Sequence, residues 1–148
     1  MAISEAASTL SGNMLDPEIV AVRTQLASNG HTKNLLAKTD LMTMHIHCYA
    51  PKGGENGLHA HTKEDHVFVC LQGEAVFRGL RGELPALKKH QAIFLPKGCY
   101  YSFSNETQEP CILLRFGASI DSSTATGSIR TAGQSPAART SMAPSRRC

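Results

Sequence analysis

Three histidines lie close together in the segment 53–73, which reads GGENGLHAHTKEDHVFVCLQG. His59 and His61 are two positions apart, so on a β-strand both side chains project from the same face. A hairpin after His61 can bring His66 back beside them. Three imidazole nitrogens held on strands suit a transition-metal ion that keeps open positions. The spacing predicts a metal site at these three residues, with a structural role in a metal-free protein as the alternative.

A second pair of histidines, His45 and His47, alternates along the apolar run LMTMHIHCYA. The opposite face of that predicted strand is more apolar and comprises Met42, Met44, Ile46 and Cys48. If the apolar face lines the core, the two imidazoles point outward, which is the arrangement we predict. If another element or a second subunit covers that face, both imidazoles enter the interior and can act as acid or base groups. His31 and His90 lie in turn-like contexts and are predicted at the surface.

The histidines belong to a long stretch of short β-rich runs between Lys33 and Phe116. These runs recur roughly every eight to twelve residues and are broken by Gly, Pro and Asn. No helical period separates them, which disfavours a parallel sheet. The pattern therefore predicts an all-β fold, an antiparallel jelly roll or barrel, as the functional domain.

The two ends of the chain differ from this stretch. A helix start is indicated by Asp16, Pro17 and Glu18, followed at helical spacing by Ile19, Val22 and Leu26. We therefore predict a flexible start over 1–15 and one short helix over about 17–28. Beyond 117 the chain is rich in Ser, Thr, Ala, Gly, Pro and Arg, which predicts a disordered tail over 118–148. Residues 16–117 are then one unit of helix plus barrel.

Composition narrows the classes of function. The chain has 148 residues, which suits one domain, and a net charge of +3 that is carried by four arginines against one aspartate in 118–148. A charge-balanced central region with no basic stripe argues against nucleic-acid binding. The absence of a leader or a long apolar run predicts a cytoplasmic protein with no membrane partner. Five cysteines without a CxxC pair predict reduced, mostly buried thiols.

The segment 53–73 resembles the first motif of the cupin superfamily: glycine, five residues, HxH, three or four residues, glutamate, six residues, glycine. Gly53, His59, His61 and Gly73 match this motif. The chain departs from it where the glutamate is expected, because the residue at that position is His66. The nearby carboxylates Glu64 and Asp65 are alternatives, but His66 keeps the six-residue gap to the final glycine, and we favour it as the ligand.

The second cupin motif, PxGxxHxxxN, is matched by Pro96, Gly98 and Asn105. Tyr101 stands where the motif has its last metal-binding histidine, and His90 stands where glycine is usual. The resemblance therefore implies a role for Tyr101 at the metal, either as a phenolate ligand or as a hydrogen-bond donor or acid. A phenol that only fills the barrel is the alternative.

Small cupins include metal-dependent dioxygenases, isomerases, cyclases and lyases, as well as non-catalytic binders. The resemblance implies one divalent transition-metal ion, iron(II) in our prediction, with Mn, Ni or Zn as alternatives. Three neutral imidazoles leave the ion at net +2, which favours a small, anionic, chelating substrate. We predict an enzyme, a dioxygenase before an isomerase, lyase or cyclase, with a ligand-binding cupin as the non-enzymatic alternative. Small cupins also often pair, so a homodimer is expected.

Overall fold

In the computed structural model, residues 16–119 and the backbone of 129–131 are described. The strands are β1 (His31–Lys38), β2 (Met42–Tyr49), β3 (Gly54–His61), β4 (Asp65–Gln72), β5 (Glu74–Gly79), β6 (Gly82–Glu83), β7 (Leu87–Lys88), β8 (Ala92–Leu95), β9 (Tyr100–Ser104), β10 (Cys111–Ala118) and β11 (Ile129–Thr131). One sheet has the order β1-β2-β10-β4-β8, and the other has the order β11-β3-β9-β5-β6, with β7 paired to β5. Every pairing is antiparallel, as predicted.

The core lies between the two sheets, where alternate residues of facing strands meet. Its members are Tyr49, Phe68, Cys70, Ala75, Phe77, Leu87, Leu95, Cys99, Tyr101, Phe103, Cys111 and Leu113. The ring centroid of Phe68 on one sheet is 5.8 Å from that of Phe77 and 5.6 Å from that of Phe103 on the other. The ring of Phe68 also lies 6.3 Å from that of His66, so this aromatic centre adjoins the histidines.

Two residues of the cupin motifs hold turns. Gly73, between β4 and β5, has a φ of +72°, and a Cβ there would lie 2.7 Å from the carbonyl oxygen of Pro110. Glycine adopts this conformation and allows this approach without strain. The fully buried amide of Asn105 lies within 3.3 Å of the carbonyl oxygens of Tyr49, Ala50 and Glu109. Both motif residues therefore position strands.

The predicted helix over 17–28 is wrong, because these residues form no helix. The side chain of Ile19 is 100% exposed, that of Leu26 is 65% exposed and that of Val22 is 48% exposed. These three side chains are therefore largely exposed rather than packed in the core, and an isolated helix of this length is marginal in water. Within the described ranges there is also no helix long and apolar enough to cross a membrane.

The tail differs in part from the prediction of disorder over 118–148. Ala118 ends β10, and 129–131 pair with β3, placing Ile129 opposite His61 and Thr131 opposite His59. A composition argument does not anticipate three residues that add an edge strand to an existing sheet. The predicted flexible start over 1–15 and the rest of the tail lie outside the described residues, and the division into domains stays a prediction.

The cysteine prediction holds for three residues. Cys48, Cys70 and Cys111 are free and fully buried. Cys99, which was expected as a reduced packing thiol, is instead disulfide-bonded. Pairing of distant cysteines depends on the fold and carries no signal in local spacing.

Candidate metal centre

The four predicted site residues come together inside the barrel. The ring centroids of His59 and His61, both on β3, are 5.3 Å apart, and that of His66 on β4 is 4.1 Å from that of His61. The ring of Tyr101 on β9 lies 4.5 Å from that of His59, its direct partner in the sheet. The side chains of this cluster therefore come from β3 and β9 of one sheet and from β4 of the other.

A bulge in β3 shapes the surroundings of His59. Glu55 pairs with Phe103 and His59 with Tyr101, so three residues of β3 lie opposite one residue of β9. The bulge turns the Gly57 carbonyl toward the ring, and His59 Nδ1 donates a hydrogen bond to that oxygen at 2.7 Å. His59 Nε2 is then left to face Glu55 Oε2 at 3.3 Å, and this carboxylate raises the pKa of His59.

His61 has the least engaged ring of the cluster. Its Nδ1 atom is buried and has no hydrogen-bond partner among the described protein groups. Burial, aided by the charge of Arg115, lowers the pKa of His61 to about 4. At neutral pH the ring is therefore uncharged and offers a lone pair, the state in which imidazole binds a metal ion.

His66 is held by an ion pair that the motifs did not indicate. Arg115 Nη2 donates a hydrogen bond to His66 Nε2 at 2.6 Å, and Glu64 Oε2 lies 3.0 Å from Nε2 and 3.5 Å from Arg115 Nη2. Burial first, and then the charge of Arg115, lowers the pKa of His66 to about 2. The ring is thus neutral, with its proton on Nδ1, 3.5 Å from the hydroxyl of Tyr101.

Tyr101 is 3% exposed. Burial and the nearby charge of Glu55 raise the pKa of Tyr101 above its usual value. Its oxygen is therefore a phenol in this environment, able to donate a hydrogen bond into the cluster.

The predicted outward orientation of His45 and His47 is wrong. His47 is 1% exposed, and its ring centroid lies 6.1 Å from that of Phe68 in the core. His45, on the same face of β2, is partly buried, and its Nδ1 atom is inaccessible. Ile46 and Cys48 on the other face are also buried, so hydropathy did not distinguish the two faces. Burial lowers the pKa of His45 to about 4 and that of His47 to about 3.

A hydrogen-bonded chain accompanies this second pair. Tyr49 Oη donates to Glu55 Oε1 at 3.1 Å, so His47 Nδ1, 2.8 Å from Tyr49 Oη, is the donor to that oxygen. His47 Nε2 is left as a buried acceptor with no hydrogen-bond partner in the described part of the chain. Lys33 Nζ completes the chain by donating to Glu55 Oε1 at 2.8 Å.

Sequence reasoning missed Tyr49, Glu55 and Arg115 as members of this site. Arg115 had a signal, because it alternates with the core residues Cys111 and Leu113 along an apolar strand. Tyr49 likewise shares the strand face of the second histidine pair. Glu55 had no signal in the sequence, because its approach to the cluster depends on the bulge in β3.

The residues fit a transition-metal ion in chemistry. As they stand, no group of three or more His, Cys, Asp or Glu side chains within 16–119 is arranged to hold one. The bare Nδ1 of His61 is nevertheless a donor of the required type. For His66 to bind through Nδ1, its proton must move to Nε2, which would then donate to Glu64 Oε2 at 3.0 Å instead of accepting from Arg115. The Gly57 carbonyl holds the ring of His59 as metal-binding histidines are held, by a hydrogen bond to the opposite nitrogen.

Two antiparallel sheets around a histidine-lined interior define this molecule as a jelly-roll barrel protein with a candidate metal centre. The sequence matches the family model for the cupin domain, Cupin_2, over residues 45–117. This region is a small cupin domain. No curated protein matches the sequence.

Solved structures share the fold. The protein TT1209 from Thermus thermophilus is 25% identical with a TM-score of 0.59, over 65% of this chain and 90% of that one. An uncharacterized conserved protein with a double-stranded β-helix domain from Klebsiella pneumoniae is 16% identical with a TM-score of 0.62, over 74% of this chain and 84% of that one. Oxalate oxidase in complex with the substrate analogue glycolate is 16% identical with a TM-score of 0.56, over 72% of this chain and 57% of that one. These likenesses show the fold and not an activity.

Proposed function

We propose that this protein is a metal-dependent enzyme whose cupin barrel holds one divalent transition-metal ion, iron(II) before Mn, Ni or Zn. The observation that carries the proposal is the convergence of His59, His61, His66 and Tyr101 in the interior, with two of the imidazoles held neutral. These residues would hold the ion. When bound, it supplies Lewis-acid polarisation of substrate oxygens and, for iron, a site for dioxygen.

The charges around the cluster favour a small, oxygen-rich, acidic substrate that chelates the ion, such as an α-hydroxy or α-keto acid or a diketone. Arg115 places a guanidinium next to His66, and its side chain is only 17% exposed. Tyr101 adds a phenol that donates hydrogen bonds. A buried cation and a neutral donor stabilise carboxylate and enolate oxygens more than neutral groups.

We propose dioxygenation as the reaction, because a face of three nitrogens leaves adjacent positions for substrate and dioxygen. Isomerisation, elimination or cyclisation is the second candidate. It is favoured by two proton-handling groups inside the barrel, the phenol of Tyr101 and the bare Nε2 of His47. A ligand-binding role without turnover is the third.

Metal analysis of the purified protein, followed by oxygen consumption with a panel of diketones, catechols and keto acids, tests the proposal. We expect close to one transition-metal ion per chain and consumption of oxygen with one class of chelate. Turnover that proceeds equally without oxygen would select the isomerase or lyase candidate. A protein that neither contains nor takes up a transition metal would refute the metalloenzyme. The matched control for histidine variants of the cluster is His90→Asn. It removes an exposed histidine outside the cluster, and asparagine tolerates the φ of 67° at this position.

We also propose that two copies pair. β1 and β8 end the first sheet in the described part of the chain, and Phe94 on β8 is 59% exposed. Such edges favour pairing with another strand. Light scattering at micromolar concentration is expected to give the mass of a dimer, and a monomer mass would contradict this. The cytoplasmic location stays a prediction.

A further inference from the structure

Glu55 is a carboxylate whose two oxygens have different surroundings. Oε1 accepts hydrogen bonds from Lys33 Nζ at 2.8 Å and from Tyr49 Oη at 3.1 Å. Oε2 instead faces His59 Nε2 at 3.3 Å. The side chain is 19% exposed, and hydrogen bonds from His59 and Lys33 outweigh its burial and hold the pKa of Glu55 below its usual range. One oxygen is therefore fixed by two donors, and the other faces His59 Nε2.

The ring of His59 is arranged in the same way. Its Nδ1 donates to the carbonyl oxygen of Gly57 at 2.7 Å, and its Nε2 is the atom that faces Glu55 Oε2. Ligating histidines and carboxylates are commonly oriented by such outer hydrogen bonds on the atom that does not touch the metal. Both side chains show this pattern, and their remaining donor atoms, Glu55 Oε2 and His59 Nε2, face each other.

The distance between these two donor atoms also fits. Ligand atoms that are each about 2.1 Å from one ion lie about 3.0 to 3.4 Å apart in octahedral or tetrahedral geometry. The 3.3 Å between Glu55 Oε2 and His59 Nε2 falls in that interval. The bulge in β3 produces this spacing, since Glu55 and His59 sit four residues apart on the chain but face strand partners only two apart.

We propose that Glu55 is a metal ligand and supplies the carboxylate that the first cupin motif lacks here because His66 stands in the glutamate position. This inference rests on the proposed function, since it requires that the barrel bind a metal ion. With Glu55 bound, three neutral imidazoles and one carboxylate leave a divalent ion at net +1 instead of +2. The competing interpretation is an ion pair between Glu55 and His59 with no part in metal binding.

Calorimetric titration of the metal-stripped full chain with Zn²⁺ separates the two interpretations. Glu55→Gln keeps the size of the side chain and leaves one oxygen that can still accept from Lys33 and Tyr49. It removes the charge and replaces the second acceptor oxygen with an NH₂ group, so we expect it to weaken Zn²⁺ binding at least about 10-fold. The matched control is Glu106→Gln at an exposed glutamate on the surface, which we expect to stay within about 2-fold of the unmodified chain. With Co²⁺ as the probe, the visible absorption should also change in Glu55→Gln and not in the control.

Two negative results mean different things. If the unmodified chain binds Zn²⁺ and Glu55→Gln binds it equally well, Glu55 is not a ligand and the proposed metalloenzyme stands. If the unmodified chain does not bind Zn²⁺ or Co²⁺, both ideas fail. If Glu55→Gln does not fold, the Cδ resonance of Glu55 in the ¹³C spectrum of the unmodified chain decides: a shift on saturation with Zn²⁺ supports ligation, and an unchanged resonance rejects it.

Discussion

The barrel contains two histidine pairs with the same spacing, His45 and His47 on β2 and His59 and His61 on β3. Both pairs face the interior, and three of the four rings have depressed pKa values. The pairs differ in what holds their rings. A backbone carbonyl fixes His59, whereas the hydroxyl of Tyr49 fixes His47. Identical sequence spacing therefore gives two different sites.

The two pairs share the HxH pattern and differ in their surroundings, so the surroundings are our basis for proposing which pair binds a metal ion. The pair on β3 lies beside a third imidazole and the phenol of Tyr101. The pair on β2 lies beside Phe68 and Tyr49, and its T-shaped rings are 6.0 Å apart. We therefore assign metal binding to the pair on β3 and expect the pair on β2 to stay uncoordinated. The following variants test this assignment.

The largest effect on Zn²⁺ binding is expected from His61→Ala. His61 offers the bare imidazole nitrogen of the β3 pair, so its loss should weaken Zn²⁺ binding more than about 100-fold. The matching change in the other pair, His45→Ala, should alter it by less than about 3-fold, since an uncoordinated histidine contributes only through its surroundings. Calorimetric titration measures both. Equal losses in the two variants would mean that the pairs act together as one site.

Tyr49→Phe should lower the stability of the fold and should weaken Zn²⁺ binding less than His61→Ala does. The change removes the acceptor of His47 Nδ1 and one of the two donors to Glu55 Oε1. A buried donor left unsatisfied costs about 1–3 kcal/mol in the free energy of unfolding, measured with urea. Zn²⁺ affinity should fall less than about 10-fold, because Lys33 still holds the carboxylate. An unchanged unfolding midpoint would show that this chain of hydrogen bonds does not stabilise the fold.

His47→Gln should flatten the acid side of the stability profile. Burial lowers the pKa of His47 to about 3, whereas the unfolded chain binds that proton near pH 6.5. Between these values only the unfolded state gains the proton, so stability falls as the pH falls. Without His47 this loss should shrink by about 1.4 kcal/mol per pH unit. Urea unfolding of the metal-stripped chain at about pH 6 and pH 5 compares the slopes. Equal slopes in the variant and the unmodified chain would mean that the pKa of His47 is not lowered by folding, as expected for a histidine in contact with water.

Lys33→Met should have the smallest effect. The Lys33 side chain is 41% exposed, so its ion pair with Glu55 is screened by water. Exposed pairs contribute about 0–1 kcal/mol, and Zn²⁺ affinity should stay within about 2-fold. A larger loss of affinity would mean that Lys33, and not Tyr49, orients the carboxylate.

Much of this molecule is predictable from residue pattern. Alternating apolar runs predicted the antiparallel barrel, and the spacing of His59, His61 and His66 predicted the cluster. These succeed because strand periodicity and motif register are local properties of the chain. Gly73 and Asn105 follow the same rule, since each holds a turn that the motif encodes.

The features that the sequence did not predict depend on tertiary contacts. The orientation of His47 was missed because both faces of β2 are buried, and Glu55 was missed because a bulge decides its position. The helix over 17–28 failed because propensity without a packing surface is insufficient. Only the folded barrel shows which polar groups meet.

The most direct test is the ¹⁵N spectrum of the histidine rings of the metal-stripped chain during titration with Zn²⁺. The assignment of metal binding to the β3 pair predicts large shifts of the ring nitrogens of His59 and His61 that saturate at one ion per chain. The rings of His45 and His47 should keep their shifts. Shifts confined to His45 and His47, or no saturable shift at any ring, would contradict the account.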